Sequence, residues 1–185
     1  MRAFLKPFLM AAILMTLGTM TASAADPENT VYMDLKDGRV VIELRPDLAP
    51  ETVKHFKELV RKHFYDGLTF HRVIPGFMAQ TGDPLGNGTG GSGHNVPGEF
   101  TRKEHFVRGT VGLARAQDPN SGDSQFFIVF DDSTLLDGQY TIFGKVTKGM
   151  EFVDLIKKGS KQQNGAIQGT PDKILKLQIA ADVKS

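Results

Sequence analysis

One arginine set among apolar residues is the first place to look for chemistry. In Phe70-His71-Arg72-Val73-Ile74-Pro75-Gly76-Phe77-Met78-Ala79-Gln80 the guanidinium lies close in sequence to Phe77, Met78 and Gln80. Strand alternation puts Met78 and Gln80 on one face, and Phe77 can swing to that side from the Pro75-Gly76 turn. A second stretch, Ser124-Gln125-Phe126-Phe127-Ile128-Val129-Phe130, gives Gln125, Phe127 and Val129 one face and Phe126, Ile128 and Phe130 the other. Adjacent phenylalanines facing opposite ways suggest one for a core and one for something else. The plain alternative is that all these aromatics are core, as each taken singly usually is.

Other chemistries fail on residue type or spacing. Without cysteine there is no thiol nucleophile, thiolate zinc site or redox pair. Gly86-Asn87-Gly88-Thr89-Gly90-Gly91 matches a dinucleotide-binding pattern, but Ser92-Gly93-His94-Asn95-Val96-Pro97 cannot open the helix that would hold a pyrophosphate. Ser124 lacks the second glycine of a nucleophile elbow. His55, His63, His71, His94 and His105 have no metal spacing, and Asp131, Asp132 and Asp137 lack the glycine of a calcium loop. Asn87-Gly88-Thr89 is formally a glycosylation sequon and reads as loop. No cofactor and no metal is implied.

The elements that must position these residues are mostly strands. Val31 to Leu44 reads as two strands around Lys36-Asp37-Gly38, a hairpin signal. Pro50 to Lys62 reads as a helix, with Val53, Phe56, Val60 and His63 at helical spacing. Thr69–Ile74, Phe77–Thr81, Thr110–Arg115, Gln125–Phe130 and Tyr140–Val146 are further strands. Gly82 to Gly98 is too rich in glycine for a regular element and forms a long loop. Met150–Lys157 is a short helix, and Leu175, Leu177 and Ile179 alternate through a last strand. About eight hairpin-linked strands with two helices predict a mainly β fold, a closed antiparallel barrel.

The ends of the chain bear on location. Arg2 and Lys6, an apolar run from Phe8 to Leu17 and Ala22-Ser23-Ala24 are the parts of a secretory signal over 1–24, with cleavage after Ala24 or Ala25. That leaves 161 of the 185 residues, with 25–30 as a short tail and 31–183 as one domain. Losing Arg2 and Lys6 turns a net charge of +1 into −1, a poor balance for binding nucleic acid or an anionic membrane. A monomer in a bacterial periplasm is the expectation, with secretion further out as the alternative.

These residues carry a resemblance. Residues 70–83, 88–91, 123–128, 136–138 and 143–150 closely resemble the cyclophilins, peptidyl-prolyl cis–trans isomerases, and the likeness runs in order from about Val31 to Asp182. It implies an eight-stranded antiparallel barrel capped by two α-helices, and proline-containing polypeptides as substrates. It also implies roles: Arg72 as catalytic arginine, Gln80 orienting it, and Phe77, Met78, Phe127 and Leu136 as walls of a proline pocket. Ala114, Arg115 and Ala116 match the segment whose backbone binds the residue before proline, with Gln125, Gly88 and Thr89 beside it. Three positions depart from the usual pattern. Leu135 replaces a frequent tryptophan, Tyr140 a histidine and Arg115 an asparagine. The Arg115 side chain should matter little if only its backbone is used, and the missing indole implies weak cyclosporin binding with isomerase activity retained. The alternative within another class is a non-catalytic chaperone or peptide-binding module using the same groove.

Overall fold

The computed structural model describes residues 26–184. The stretch expected to be the export signal, together with Ala25 and Ser185, lies outside the described residues. From Asp26 onward the expected tail is packed: Asp26 caps a short 3-10 turn, and Glu28 bonds Arg61 and Lys57 of the first helix.

Ten elements follow in order: β1 (Thr30–Leu35), β2 (Gly38–Leu44), α1 (Pro50–Arg61), β3 (Arg72–Ile74), β4 (Met78–Thr81), β5 (Thr110–Leu113), β6 (Phe126–Val129), β7 (Ile142–Lys148), α2 (Met150–Leu155) and β8 (Lys176–Ile179). The Asp-Gly signal gives the expected hairpin, with Leu35 opposite Gly38. Helix α1 begins at Pro50, but its N-cap Ala49 offers no side-chain acceptor. Glu99 supplies one from the long loop: its two carboxylate oxygens accept from the amides of Glu51 (3.0 Å) and Thr52 (2.9 Å). That satisfies two of the donors a helix start leaves unpaired. At the other end the helix stops at Arg61. His63 is not on the buried stripe; it is exposed in a left-handed conformation at φ +56°.

All eight strands join one sheet in the order β3-β4-β6-β5-β7-β2-β1-β8, every neighbouring pair antiparallel. The closed barrel expected from the sequence needs correction. The sheet curls into a half-barrel, and no ladder joins its edge strands β3 and β8. The reason lies at β3, three residues long, whose outer edge is taken by irregular chain: Val73 N donates to Gly165 O and Gly159 N to Val73 O, each at 2.8 Å. What spans the gap is a short run of single pairs, Phe70 with Asp172 and Leu68 with Ile174.

The two faces of the sheet bury separate clusters. Phe126, Ile128 and Phe130 enter the main core with Val31, Met33, Ile42, Phe56, Phe143 and Leu177. Phe127 and Val129 join a smaller cluster with Met78, Phe106 and Ile142, against which Phe77, Leu136 and Tyr140 pack. The opposed phenylalanines read from the sequence thus divide as expected.

Candidate active site

Strand register assembles the site. Arg72 lies opposite Gln80 across β3 and β4, Gln80 opposite Phe127 across β4 and β6, and Phe127 opposite Gly112 across β6 and β5. Directly opposed residues point to the same face, so three side chains and a gap form one row across the sheet. The gap is required. A β-carbon on Gly112 would lie 2.5 Å from the Phe127 ring and 2.7 Å from the Phe106 ring. Only glycine lets Phe127 lie down against Phe106, ring centroids 5.7 Å apart.

Arg72 is held by three acceptors. Nη1 donates to Gln80 Oε1 (3.0 Å), Nη2 to Asn164 Oδ1 (2.8 Å) and Nε to Asn164 O (3.0 Å). None of these is a carboxylate, so among the described residues no ion pair discharges the cation. Burial pulls the guanidinium below its ordinary value, opposed by Tyr140, yet an arginine stays charged throughout the ordinary range. Asn164 sits in the left-handed region at φ +52°, a conformation asparagine tolerates better than most residues. From Gln80 the bonding continues: its Nε2 donates to Gln125 Oε1 (2.9 Å), whose own Nε2 donates to Gly90 O (2.8 Å) and Gly88 O (3.1 Å).

Beside the arginine lies a cavity of about 190 Å³, walled by Phe77, Met78, Phe127, Leu136 and Tyr140 and lined also by Arg72, Gln80 and Arg115. Pockets for drug-sized ligands run to roughly 300–1,000 Å³, so this one suits a single side chain. A larger cavity of about 470 Å³ adjoins it, sharing Gln80, Ala114 and Arg115 and lined also by Gly88, Thr89, Ala116 and Gln125. Thirteen of the fourteen expected site residues therefore line one continuous groove. The exception is Leu135, 87% exposed on a 3-10 turn and outside both cavities.

The glycine-rich wall is ordered from within. Asp83, 1% exposed, accepts from the amides of Leu85 (2.8 Å), Asn87 (3.0 Å) and Gly88. Burial raises its carboxyl, but the three amides outweigh that and hold it below the usual carboxylate value. Neither Asp83 nor Asn164 figured among the expected site residues. Asn164-Gly165 is a turn signal, but nothing in the sequence brings that turn to Arg72. Among the described residues no group of three or more His, Asp or Glu is placed to hold a metal ion.

Comparison with known proteins agrees with this geometry. Residues 30–179 match the family model described as cyclophilin type peptidyl-prolyl cis-trans isomerase. The chain belongs to the cyclophilin family. It is 57% identical to a probable peptidyl-prolyl cis-trans isomerase of Brucella suis, over 98% of this chain and all of that one. With the peptidyl-prolyl cis-trans isomerase B of Bacillus subtilis it shares 44% identity over 76% of this chain and 99% of that one. Among solved structures it is similar to a cyclophilin from Hirschia baltica, at a TM-score of 0.76 with 28% identity over 86% of this chain and 77% of that one. It is also similar to a cyclophilin-type isomerase of Cryptosporidium parvum crystallised in the presence of the dipeptide Ala-Pro. There the TM-score is 0.73 and the identity 30%, over 81% of this chain and 98% of that one. This cyclophilin is accordingly a peptidyl-prolyl cis–trans isomerase, an enzyme.

Proposed function

We propose that Arg72 is the catalytic group, that the 190 Å³ cavity holds the proline ring, and that the enzyme works on exported, folding proteins in the periplasm. The observation carrying this reading is the placement of Arg72: a charged donor, with no carboxylate partner among the described residues, at the wall of a hollow lined by Phe77, Met78, Phe127, Leu136 and Tyr140. An X-Pro bond turns over tens to hundreds of seconds, because twisting costs the amide its resonance. Midway through the turn the prolyl nitrogen regains a lone pair that the planar amide does not offer. A fixed guanidinium donor binds that state better than either planar one, and differential binding of this kind is catalysis. A thousandfold acceleration needs about 4 kcal/mol. One charge-assisted hydrogen bond contributes roughly 1.5–3 kcal/mol, with orientation of the ring supplying the rest.

In this reading the residues before the proline lie along Ala114, Arg115 and Ala116, and Gln125, Gly88 and Thr89 border their path. The basic start, apolar run and small-x-small end of 1–24 support export, leaving the isomerase domain over 31–183. The exposed Leu135 supplies no indole, in keeping with weak cyclosporin binding.

The test is the cis–trans rate of a short Ala-Pro peptide. Wild type accelerates it, and Arg72→Ala loses at least tenfold in kcat/KM, about 1.4 kcal/mol of transition-state binding, with its thermal unfolding little changed. Full activity in Arg72→Ala sinks the mechanism while leaving the family standing. Sequencing the amino terminus of the exported protein checks the removal of 1–24.

A further inference from the structure

Arg115 is one of the three positions where this chain departs from the pattern it resembles, and two of its guanidinium nitrogens are hydrogen-bonded. Nε donates to Gln139 O (3.0 Å), and Nη1 donates to Ala116 O (2.8 Å) and Gln117 O (3.2 Å). The guanidinium carbon lies 4.8 Å from the centroid of the Tyr140 ring and 5.6 Å from that of Phe100. Tyr140 in turn stands edge-on to Phe127, centroids 5.8 Å apart at 87°. Arg115 lines both the small cavity and the larger one beside it.

We propose that Arg115 is a positioning residue for the isomerase reaction, clamping the Tyr140 wall of the small cavity to the 114–117 backbone. The inference rests on the reading of that cavity as the proline pocket. Two irregular segments meet there. One is the 114–117 chain leaving β5, and the other is the 136–140 chain before β7. The Arg115 fork joins them, donating to carbonyls of both segments while its guanidinium lies over the tyrosine ring. A planar, delocalised cation with several fixed donors can bridge carbonyls and stack on a ring at once, whereas a lysine ammonium is a single point charge. The clamp sets the width between the wall and the backbone that faces the substrate. It acts on binding of the peptide, not on the twisted nitrogen. Its loss therefore raises KM and leaves kcat, which Arg72 governs.

The experiment measures kcat and KM separately for Arg115→Ala and Arg115→Lys, each alone and combined with Tyr140→Ala, alongside wild type and Arg72→Ala. Arg115→Ala raises KM on the order of fivefold to tenfold with kcat nearly unchanged, and Arg115→Lys does the same, since charge without the fork cannot hold both segments. In the Tyr140→Ala background the Arg115 substitutions cost less than about twofold, because the wall they fix is gone. Full rescue by lysine, a fall confined to kcat, or costs that multiply in the double variants each overturn the clamp. If Arg72→Ala is as active as wild type, the proposed mechanism on which the clamp rests has failed. If Arg72→Ala is impaired and the Arg115 variants are normal, only the clamp has failed.

Discussion

Asn164 offers the sharpest test of how far fixity matters to an arginine. It spends two acceptors on one guanidinium, the side-chain oxygen on Nη2 and the main-chain oxygen on Nε. Asn164→Gly keeps the main-chain acceptor and suits the left-handed backbone, so it removes the Oδ1 bond alone. It lowers kcat/KM roughly threefold to tenfold while thermal unfolding moves little. Asn164→Ala adds about 1 kcal/mol of destabilisation, because alanine resists positive φ. Equal activity in wild type and Asn164→Gly would mean that Gln80 and the main chain suffice. Alternation made the shared faces of Met78 with Gln80 and of Gln125 with Phe127 legible, whereas the resemblance to the family singled out Arg72, Gln80 and Phe127 as site residues. Asn164 was not legible, since it reaches Arg72 from 92 residues away through a turn that no periodicity describes. The bonds of the Arg115 side chain were not legible for a similar reason: its acceptors are main-chain carbonyls, and carbonyls carry no sequence signature.

At the level of elements, ends and edges escaped the sequence more than interiors did. Residues 69–71 and 114–115 read as strand, yet β3 starts at Arg72 and β5 stops at Leu113. The chain there makes single pairs and not ladders: Thr69 bridges Lys173, Phe70 N donates to Asp172 O and Ala114 N to Gln125 O. Closure of the barrel failed for the same cause, since an edge is closed or open according to what distant chain reaches it. The 82–98 segment is the opposite case. It is loop, as its glycine content demanded, but a loop built on Asp83. The Asp83 carboxyl titrates below its ordinary value of about 3.9, so the native state binds fewer protons than the unfolded chain across that window. Its contribution to stability is complete above about pH 4 and is lost as pH falls through the lower folded value. In Asp83→Asn the acid limb of thermal unfolding against pH loses this component. The variant also exchanges the amide hydrogens of Leu85, Asn87 and Gly88 faster at neutral pH, which hydrogen-exchange NMR reads directly. Unchanged protection in the variant would mean that the loop is held by other contacts.

For the whole molecule, the partition between the two faces separates stability from activity by one residue. Phe126 is fully buried in the main core against Phe56, Tyr65 and Phe143. Phe127 walls the groove on the other face. Phe126→Ala costs about 3–5 kcal/mol of folding free energy, a large part of the stability of a domain of this size. Its residual folded fraction retains normal kcat/KM. Phe127→Leu stays folded, with a smaller shift in the denaturation midpoint, and loses isomerase activity through the damaged wall. Urea titration beside the peptide assay distinguishes the two, and the reverse pattern would contradict the division of the sheet into a structural face and a working face. With no cysteine, no disulfide contributes to any of this.

The line of bonds that runs from Arg72 through Gln80 and Gln125 to two glycine carbonyls consists of carboxamides and peptide groups. None of its links can take up or release hydrogen ions in water near neutrality, and burial pulls the nearby His71 below the usual imidazole value. Turnover should accordingly be indifferent to acidity from about pH 7 to 9, the flat profile of a catalyst that moves no hydrogen ion.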